Sequence, residues 1–86
     1  MKLQLRVITP ESIALEEECG MVIVRCISGD MGFLPRHEAC SAVLGDGDLR
    51  IIDGRQERRM RLSGGIVQIK DDVVTILTNK ALAESA

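Results

Sequence analysis

The sequence predicts an all-β fold of short strands joined by tight turns, as in small sandwiches and barrels. Apolar and polar residues alternate near both ends of the chain, turn-forming residues recur at short intervals, and 45% of the 86 residues are apolar, which is ample for a core. A chain this short buries about 60–65% of its extended surface, enough for one core but not for two. We therefore expect one domain over residues 1–86.

The first segment of the chain has an apolar residue at every second position, namely Leu3, Leu5 and Val7. This period is typical of a strand with one buried face. The next segment, Thr9–Glu18, carries signals for the start of a helix: Thr9 as N-cap, Pro10 at the first helical position and the early acid Glu11. Taken alone, this segment is equally compatible with a helix and with a strand.

Turn signals divide the rest of the chain at short spacing: Ser28-Gly29-Asp30, Gly45-Asp46-Gly47-Asp48, Asp53-Gly54, Ser63-Gly64-Gly65 and Asp71-Asp72. Asp53-Gly54 is the cleanest hairpin signal, because a type I′ turn needs positive φ at two residues and Asp-Gly tolerates this. We expect it to join Leu49–Ile52 to Gln56–Leu62.

A second two-residue hairpin is predicted at Asp71-Asp72, where the absence of glycine leaves the turn type open. It would join Ile66–Lys70 to Val73–Leu77, so that these segments continue the meander begun by Gln56–Leu62. The tail, Asn79–Ala86, is compatible with a helix, although so few residues are unstable as a helix unless they are packed.

The charge pattern excludes two classes of partner. The net charge of −2, with both signs interspersed, gives no field that would draw the chain onto nucleic acid or anionic lipid. The basic cluster Arg55–Arg61 lacks aromatic residues for base stacking, since Phe33 is the only aromatic residue, and on a strand it would form a solvated, partly charge-paired face. Apolar runs such as Met21–Val24 are too short to cross a bilayer. We expect no nucleic-acid partner and no direct membrane insertion.

The cysteines Cys19, Cys26 and Cys40 cannot all pair within one chain, and without an export signal we expect free thiols. With His37 they match none of the usual zinc spacings, and a single strand through Cys19 and Cys26 would point them to opposite faces. The glycine-rich turns lack the Gly-Lys-Ser/Thr of a phosphate loop and the glutamate that closes a calcium loop. We expect no metal and no cofactor.

His37 is the only histidine, and Asp30, Glu38, Cys40 and Ser41 lie near it as possible partners in acid–base or nucleophilic chemistry. No nucleophile motif such as Gly-x-Ser-x-Gly accompanies it. A lone histidine among short polar residues is more typical of a structural or interfacial loop. We therefore expect no catalytic residue and no small-molecule substrate.

Residues Gly29–His37, with the sequence GDMGFLPRH, resemble the Gly-acid-x-Gly-x-Leu-Pro-Gly-His loop of the epsilon subunits of F-type ATP synthases, called delta in mitochondria. Further marks follow the family's order along the chain: Val7–Glu11, Gly47–Ile51, Ser63–Gly65 and Val73–Leu77. The resemblance spans the whole chain.

The resemblance implies a flattened ten-stranded β-sandwich in which Glu11–Glu18 form turn and strand instead of a helix. It also implies a non-catalytic subunit of the central stalk, peripheral on the cytoplasmic side of the inner (plasma) membrane. There it would bind the gamma subunit laterally and the polar loops of the membrane c-ring below. It would turn with the rotor and help to couple proton or sodium flow to ATP synthesis.

The resemblance also assigns site residues. Those expected to touch partners are Asp30, Met31, His37, Cys40 and Ala42, and those expected to shape the loop are Gly29, Gly32 and Pro35. A carboxylate can pair with basic groups of the ring, methionine gives adaptable apolar contact, and histidine can donate or accept. Cys40 and Ala42 follow the loop with period two, which leaves open whether they face the core or gamma.

The sequence departs from the family pattern in two places. Arg36 stands where glycine is usual, and Glu38-Ala39 replaces the common Ala-Pro, which leaves the conformation and charge of the loop open. The chain also stops at Ala86, where typical epsilon subunits continue into two C-terminal helices. We therefore expect a sandwich without the helical hairpin, one that neither senses ATP nor blocks rotation through an extended arm.

Two other classes remain beside the rotor subunit. One is a free-standing β-sandwich adaptor, and the other is a small enzyme that uses His37. A gene neighbourhood of ATP synthase subunits, or co-purification with the cognate gamma subunit, would separate them.

Overall fold

A computed structural model describes residues 1–83 of the chain, and these residues form ten strands and no helix. The strands are β1 (Leu3–Ile8), β2 (Ile13–Cys19), β3 (Met21–Cys26), β4 (Gly29–Phe33), β5 (Cys40–Leu44), β6 (Gly47–Asp53), β7 (Gln56–Leu62), β8 (Gly65–Lys70), β9 (Val73–Leu77) and β10 (Ala81–Ala83). The predicted all-β, ten-stranded sandwich is confirmed.

The strands are joined in the order β10-β7-β6-β3-β5-β8-β9-β1-β2, and β4 pairs with β3 off this path. Within the described residues the pairing of β1 with β9 is parallel, and the other pairings are antiparallel. The sheet curls back on itself: Gly20 N–H donates to the carbonyl of Ile52 at 2.9 Å, and Glu17 of β2 forms an ion pair with Arg58 of β7. The two ends of the order therefore enclose one core.

The core follows the period of two read from the sequence. Leu3, Leu5 and Val7 of β1 are completely buried, as the alternation predicts. Phe33 at the end of β4 is also completely buried and is the largest side chain in the core. Burial of these apolar side chains supplies the main free energy of folding, about 25 cal/mol for each Å² removed from water.

The segment after β1 is a turn followed by a strand, as the resemblance implied, so the helix that the local signals left open does not form. Thr9 N–H donates to the carbonyl of Ser12 at 2.9 Å, and Ser12 N–H donates to Thr9 Oγ1 at 3.3 Å. The threonine that would cap a helix here closes a tight turn instead. β2 then pairs along β1, with Leu15 opposite Val7 and packed against the core. Tertiary pairing thus overrides the local signal.

The two predicted hairpins are present, with one shift. Val73–Leu77 and Gln56–Leu62 have the bounds that the sequence predicted. The first hairpin loop is Gly54-Arg55, since Asp53 still pairs with Gln56, and only Gly54 has positive φ, which matches a type II′ turn instead of type I′. Asp71 and Asp72 form the second loop with φ of 51° and 63°, as in a type I′ turn.

The tail Asn79–Ala86, which is compatible with a helix by its sequence, does not form one where the structure describes it. Ala81–Ala83 form β10, which pairs with β7 so that Ala81 lies opposite Leu62. Residues 84–86 of that prediction lie outside the described residues. A free edge on β7 is the physical reason for a strand here, because three residues gain sheet hydrogen bonds there and cannot form a stable helix.

Candidate subunit-binding surfaces

Asp30 lies exposed at the start of β4. It is opposite Arg25 of β3, and Arg25 Nε is 3.4 Å from Asp30 Oδ1. Gly29, before it, has a φ of 122°, a value that L side chains rarely adopt, so glycine is needed to enter the strand. Gly32 lies within β4 and outside the left-handed region; a Cβ there would be 3.0 Å from Met21 Cε. Gly32 therefore provides space for a neighbouring side chain and does not shape a turn.

The segment Leu34–Ala39, here named the His37 loop, joins β4 to β5. Arg36 has a φ of 69°, the left-handed conformation that glycine would adopt without strain. Its backbone N–H donates to Oδ1 of Asp72 in the β8–β9 turn at 2.6 Å. Arginine at this position thus takes a left-handed conformation that glycine would also tolerate, and the carboxylate of Asp72 supports it.

His37 is held by its immediate neighbours. Its backbone N–H donates to the carbonyl of Leu34 at 3.2 Å, and its ring packs edge-on against Phe33 with centroids 5.1 Å apart. Its Nδ1 lies 2.7 Å from the carbonyl oxygen of Glu38. The ring therefore has a defined direction, with its apolar edge anchored on the core.

The predicted partner residues do not form one cluster. Asp30 lies near the start of β4, whereas His37 lies in the loop beyond Phe33, the other end of β4, which is about 10 Å from Asp30 along the strand at roughly 3.3 Å per residue. Met31, Cys40 and Ala42 are partly buried and pack against the core. Pro35 is partly buried within the His37 loop. The two polar positions are thus separated, with Asp30 on β4 and His37 in the His37 loop, and the other predicted partner residues face inward.

In the described part of the chain, the residues near His37 in sequence do not form a hydrogen-bonded catalytic arrangement with it. Within residues 1–83, its ring makes one hydrogen bond, to a carbonyl of its own loop, and none to Asp30, Cys40 or Ser41. A general base needs a polar partner to orient it and a proton to abstract within hydrogen-bond reach. Among the described residues, therefore, no nucleophile or acid–base partner is hydrogen-bonded to the His37 ring.

The three cysteines lie on different strands and are free thiols. Cys19 ends β2 and Cys26 ends β3, so the case of one strand through both does not arise, and both are buried in the core. Burial raises the pKa of both thiols, while Cys40 is half-buried. Among the described residues, no three His, Cys, Asp or Glu side chains are grouped so that they could hold a metal ion.

An exposed apolar row crosses the sheet, and sequence reasoning missed it. We name it the apolar stripe; its members are the exposed residues Ile27, Val43, Ile66 and Leu77 and the half-buried Ile8. Val43 lies opposite Ile66, Ile66 opposite Leu77, and Leu77 beside Ile8. Ile27 N–H donates to the carbonyl of Val43 at 3.0 Å, which places Ile27 at the end of the row. The stripe is about 19 Å long, given ~4.8 Å between strands.

The next outward-facing row on the same strands is polar, with the members Ser41, Gln68, Thr75 and Arg6. The apolar stripe is therefore one residue wide, and the outer surface of these strands is not apolar throughout. Apolar doublets carried the signal in the sequence: Val7-Ile8, Val43-Leu44, Ile66-Val67 and Ile76-Leu77. In each doublet one residue enters the core and the other must face outward, because successive side chains of a strand alternate.

A hollow of about 330 Å³ opens between the last two members of the stripe. Ile8, Pro10 and Leu77 line it, together with Gly65. A Cβ on Gly65 would lie 1.9 Å from the carbonyl oxygen of Leu77, so only glycine allows the two strands to approach here. The stripe thus ends in a concave apolar site.

The outer face of β6 and β7 is charged and internally paired. Arg50 Nη2 is 2.7 Å from Glu57 Oε1, and Arg59 and Arg61 lie 3.5 and 3.6 Å from the carboxylate of Asp48. The hydrogen bond from Arg50 lowers the pKa of Glu57 and raises that of Arg50. This confirms the prediction of a solvated, charge-paired face for the basic cluster.

Comparison with known proteins decides the family. Residues 2–84 match the family described as the beta-sandwich domain of the ATP synthase delta/epsilon chain. The chain belongs to this family. No helix in the described part of this delta/epsilon-type domain is long and apolar enough to cross a membrane.

Curated relatives of this delta/epsilon-type domain bear the name ATP synthase epsilon chain. The protein of Alkalihalophilus pseudofirmus is 36% identical over 84 residues, which are 98% of this chain and 63% of that protein. The protein of Herpetosiphon aurantiacus is 36% identical over 81 residues, 94% of this chain and 60% of that protein. The chain thus spans about three-fifths of the length of these relatives.

Solved structures show the same fold. A chain in the Euglena gracilis mitochondrial ATP synthase, described as OSCP/F1/c-ring, matches with a TM-score of 0.89 and 27% identity over 95% of this chain and 53% of that one. A chain in the central stalk/c-ring structure of the Tetrahymena thermophila mitochondrial ATP synthase matches with a TM-score of 0.80, covering 95% of this chain and 66% of that one. At 17% identity the second likeness concerns the fold alone.

Proposed function

We propose that the chain is a non-catalytic part of the central stalk of an F-type ATP synthase, which binds the gamma subunit and the polar loops of the c-ring. Family membership supports this, as does the likeness to a chain in a structure described as OSCP/F1/c-ring. The observation that carries the proposal is a pair of surfaces with different chemistry. One is the apolar stripe, and the other consists of the polar residues Asp30 on β4 and His37 in the His37 loop. A subunit that links two partners needs two such surfaces.

The apolar stripe is assigned to gamma. Its members on β5, β8 and β9 are each at least 50% exposed, although they are large aliphatic residues in direct register. Aliphatic surface gains about 25 cal/mol for each Å² that a partner removes from water. The hollow beside Leu77 can receive one apolar side chain of gamma, which is the usual form of an interface anchor.

Asp30 and His37 are assigned to the c-ring. The pair between Asp30 and Arg25 is exposed on both sides, and such pairs contribute little, so a basic group of the ring can replace Arg25 at low cost. His37 offers a ring of fixed direction that can donate or accept a hydrogen bond. A basic group of the ring opposite the carboxylate of Asp30 favours correct docking more than it adds raw affinity.

Met31, Cys40 and Ala42 have a supporting role in this proposal. All three pack against the core beneath the exposed positions, so they fix β4 and β5 while their open edges complete the partner contact. The domain holds no cofactor and takes no substrate in this assignment. It lies peripherally on the cytoplasmic side of the inner membrane and transmits rotation between gamma and the ring, coupling ion flow to ATP synthesis.

The test compares two lysine substitutions on one strand and one face. Ile66→Lys places a charge in the stripe, while Gln68→Lys places the same charge in the adjacent polar row. We expect Ile66→Lys to weaken binding of the cognate gamma subunit about 100-fold, the effect of roughly 2.7 kcal/mol, as for an interface hot spot. Gln68→Lys should change it less than about threefold. Isothermal titration with purified gamma measures both.

Equal binding by both variants, with both folded, would remove the stripe from the gamma interface. Failure of the unaltered domain to bind gamma at all would instead favour the free-standing adaptor. Circular dichroism and a urea melt of each variant establish that the comparison is between folded proteins.

A further inference from the structure

The His37 loop is tied to a second turn that is distant in sequence. The hydrogen bond from Arg36 N–H to Asp72 Oδ1, at 2.6 Å, joins the β4–β5 connection to the β8–β9 hairpin. Because the acceptor is a carboxylate, this bond is stronger than one between neutral groups. It is thus a strong backbone attachment between the loop and a separate element of the fold, beside a weaker contact from Arg36 Nε to Met1 Sδ at 3.1 Å.

The acceptor side of this attachment is rigid. Asp72 lies in a two-residue turn closed by the Lys70–Val73 pair, and its own φ is 63°. Its carbonyl oxygen also accepts a hydrogen bond from Gln4 N–H at 2.8 Å, which ties the turn to β1. The carboxylate of Asp72 is therefore presented from a fixed position.

The donor side is strained. At a φ of 69°, Arg36 adopts a conformation that a residue with a side chain keeps only when its surroundings hold it there. His37 follows directly, and its backbone and ring contacts to Leu34 and Phe33 form only if the chain turns at Arg36. Whatever fixes Arg36 therefore fixes the direction in which the imidazole leaves the loop.

We propose that Asp72 is a positioning residue for the c-ring contact, whose carboxylate holds Arg36 in the left-handed conformation and so orients His37. Its effect at the ring rests on the proposed function, whereas its effect on the free chain does not. The neighbouring Asp71 provides a matched control. It has the same charge and a φ of 51°, and within residues 1–83 its side chain makes no hydrogen bond.

The test uses Asp72→Ala, Asp72→Asn and Asp71→Ala. Both alanine variants lose one negative charge and place alanine at positive φ, so their general cost to folding is alike. In Asp72→Ala we expect the Arg36 amide to exchange with solvent at least about tenfold faster, as for loss of a hydrogen bond to a charged group, with shifted His37 ring resonances. Asp71→Ala should leave both as in the parent. Asp72→Asn keeps an oxygen acceptor and should restore most of the protection.

Binding to isolated c-rings is measured on the same variants and on His37→Ala, with gamma binding as reference. We expect Asp72→Ala and His37→Ala to lose c-ring affinity by a similar factor and to keep gamma affinity. Parent-like exchange at Arg36 in Asp72→Ala would overturn the proposal. So would intact ring binding by Asp72→Ala when His37→Ala has lost it. If both variants bind the ring normally, the assignment of His37 to the ring is what fails, and faster exchange at Arg36 in Asp72→Ala still supports the positioning role of Asp72 in the free chain.

Discussion

The apolar stripe and the His37 loop are both exposed, and they are built in different ways. The stripe consists of side chains on neighbouring strands, so its shape is set by the register of β5, β8, β9 and β1. The loop is set by a few polar contacts at single residues, chiefly Arg36 to Asp72 and His37 to Leu34. Substitutions in the stripe should therefore change its chemistry without moving it, whereas substitutions in the loop should change its geometry.

The largest effect is expected at Gly65, where the stripe depends on the packing of backbone against backbone. In Gly65→Ala the new Cβ would lie 1.9 Å from the carbonyl oxygen of Leu77, and φ is 118°. Neither strand can move without breaking the sheet, so we expect a loss of about 4 kcal/mol or more in the free energy of unfolding, or no folded protein. Urea denaturation measures this. Gly54→Ala is the control, since φ is 63° there but no atom lies within 4 Å, and it should cost about 1 kcal/mol.

A smaller loss of stability for Gly65→Ala than for Gly54→Ala would mean that the stripe is as adaptable as a hairpin tip. That result would remove the contrast between a rigid surface and an adjustable loop.

At the proposed c-ring contact, the double substitution Asp30→Ala with His37→Ala should reduce function and leave folding nearly unaffected. Asp30 is exposed and His37 is half-buried in a surface loop, and groups near the surface contribute little to stability, so the melting temperature should change only slightly. Binding to the c-ring should fall about tenfold or more, which corresponds to at least roughly 1.4 kcal/mol. Proton pumping by reconstituted membranes should fall with it. Equal coupling by the assembled double mutant would exclude these residues from the contact.

The smallest effect concerns the charged face of β6 and β7, a reference surface that belongs to neither proposed interface. The pKa of Glu57 is lowered from its ordinary value of 4.5, first by the hydrogen bond from Arg50 and also by that from Arg59. A lowered folded-state pKa means that this ion pair stabilises the fold above the unfolded value and that the contribution is lost as pH falls through the folded value. Between about pH 5 and pH 3, Glu57→Gln should therefore lose less stability than the parent.

Urea midpoints of the two proteins across that range test the point, with the difference expected to be small because the pair is exposed. If the urea midpoints of the two proteins fell in parallel with pH, Glu57 would make no contribution to the pH dependence of stability. Gamma binding of Glu57→Gln should equal that of the parent, which separates this face from the stripe.

Much of the core was predictable because strand period is a local property of the chain. Leu3, Leu5 and Val7 are buried as their spacing indicates, and β7 and β9 have the predicted bounds. The signals at Thr9 and Pro10 were misleading because the same capping contact that starts a helix also closes a tight turn. Only the pairing of β2 with β1 decides between the two, and pairing is not local.

The candidate site was predictable only in part. The family resemblance named Asp30 and His37, but Arg36 could not be interpreted without Asp72, which is close to it only in the folded chain. The stripe needed the register of several strands before its members could be seen as one row. The doublets, such as Ile66-Val67, were visible in the sequence, yet which residue of each faces outward depends on the position of the core.

The parallel pairing of β1 with β9 has a consequence for how the chain is made. Gln4 has its parallel partner at Val73, so β1 can pair with β2 early, but its other edge finds β9 only after the many residues between them have been synthesised. At about 5–20 residues per second, the edge of β1 stays open for several seconds. Contacts between residues so far apart in sequence also slow folding in solution. The local hairpins β6–β7 and β8–β9 can form before β1 pairs with β9. Closure of the sandwich by that parallel pairing is then the last step.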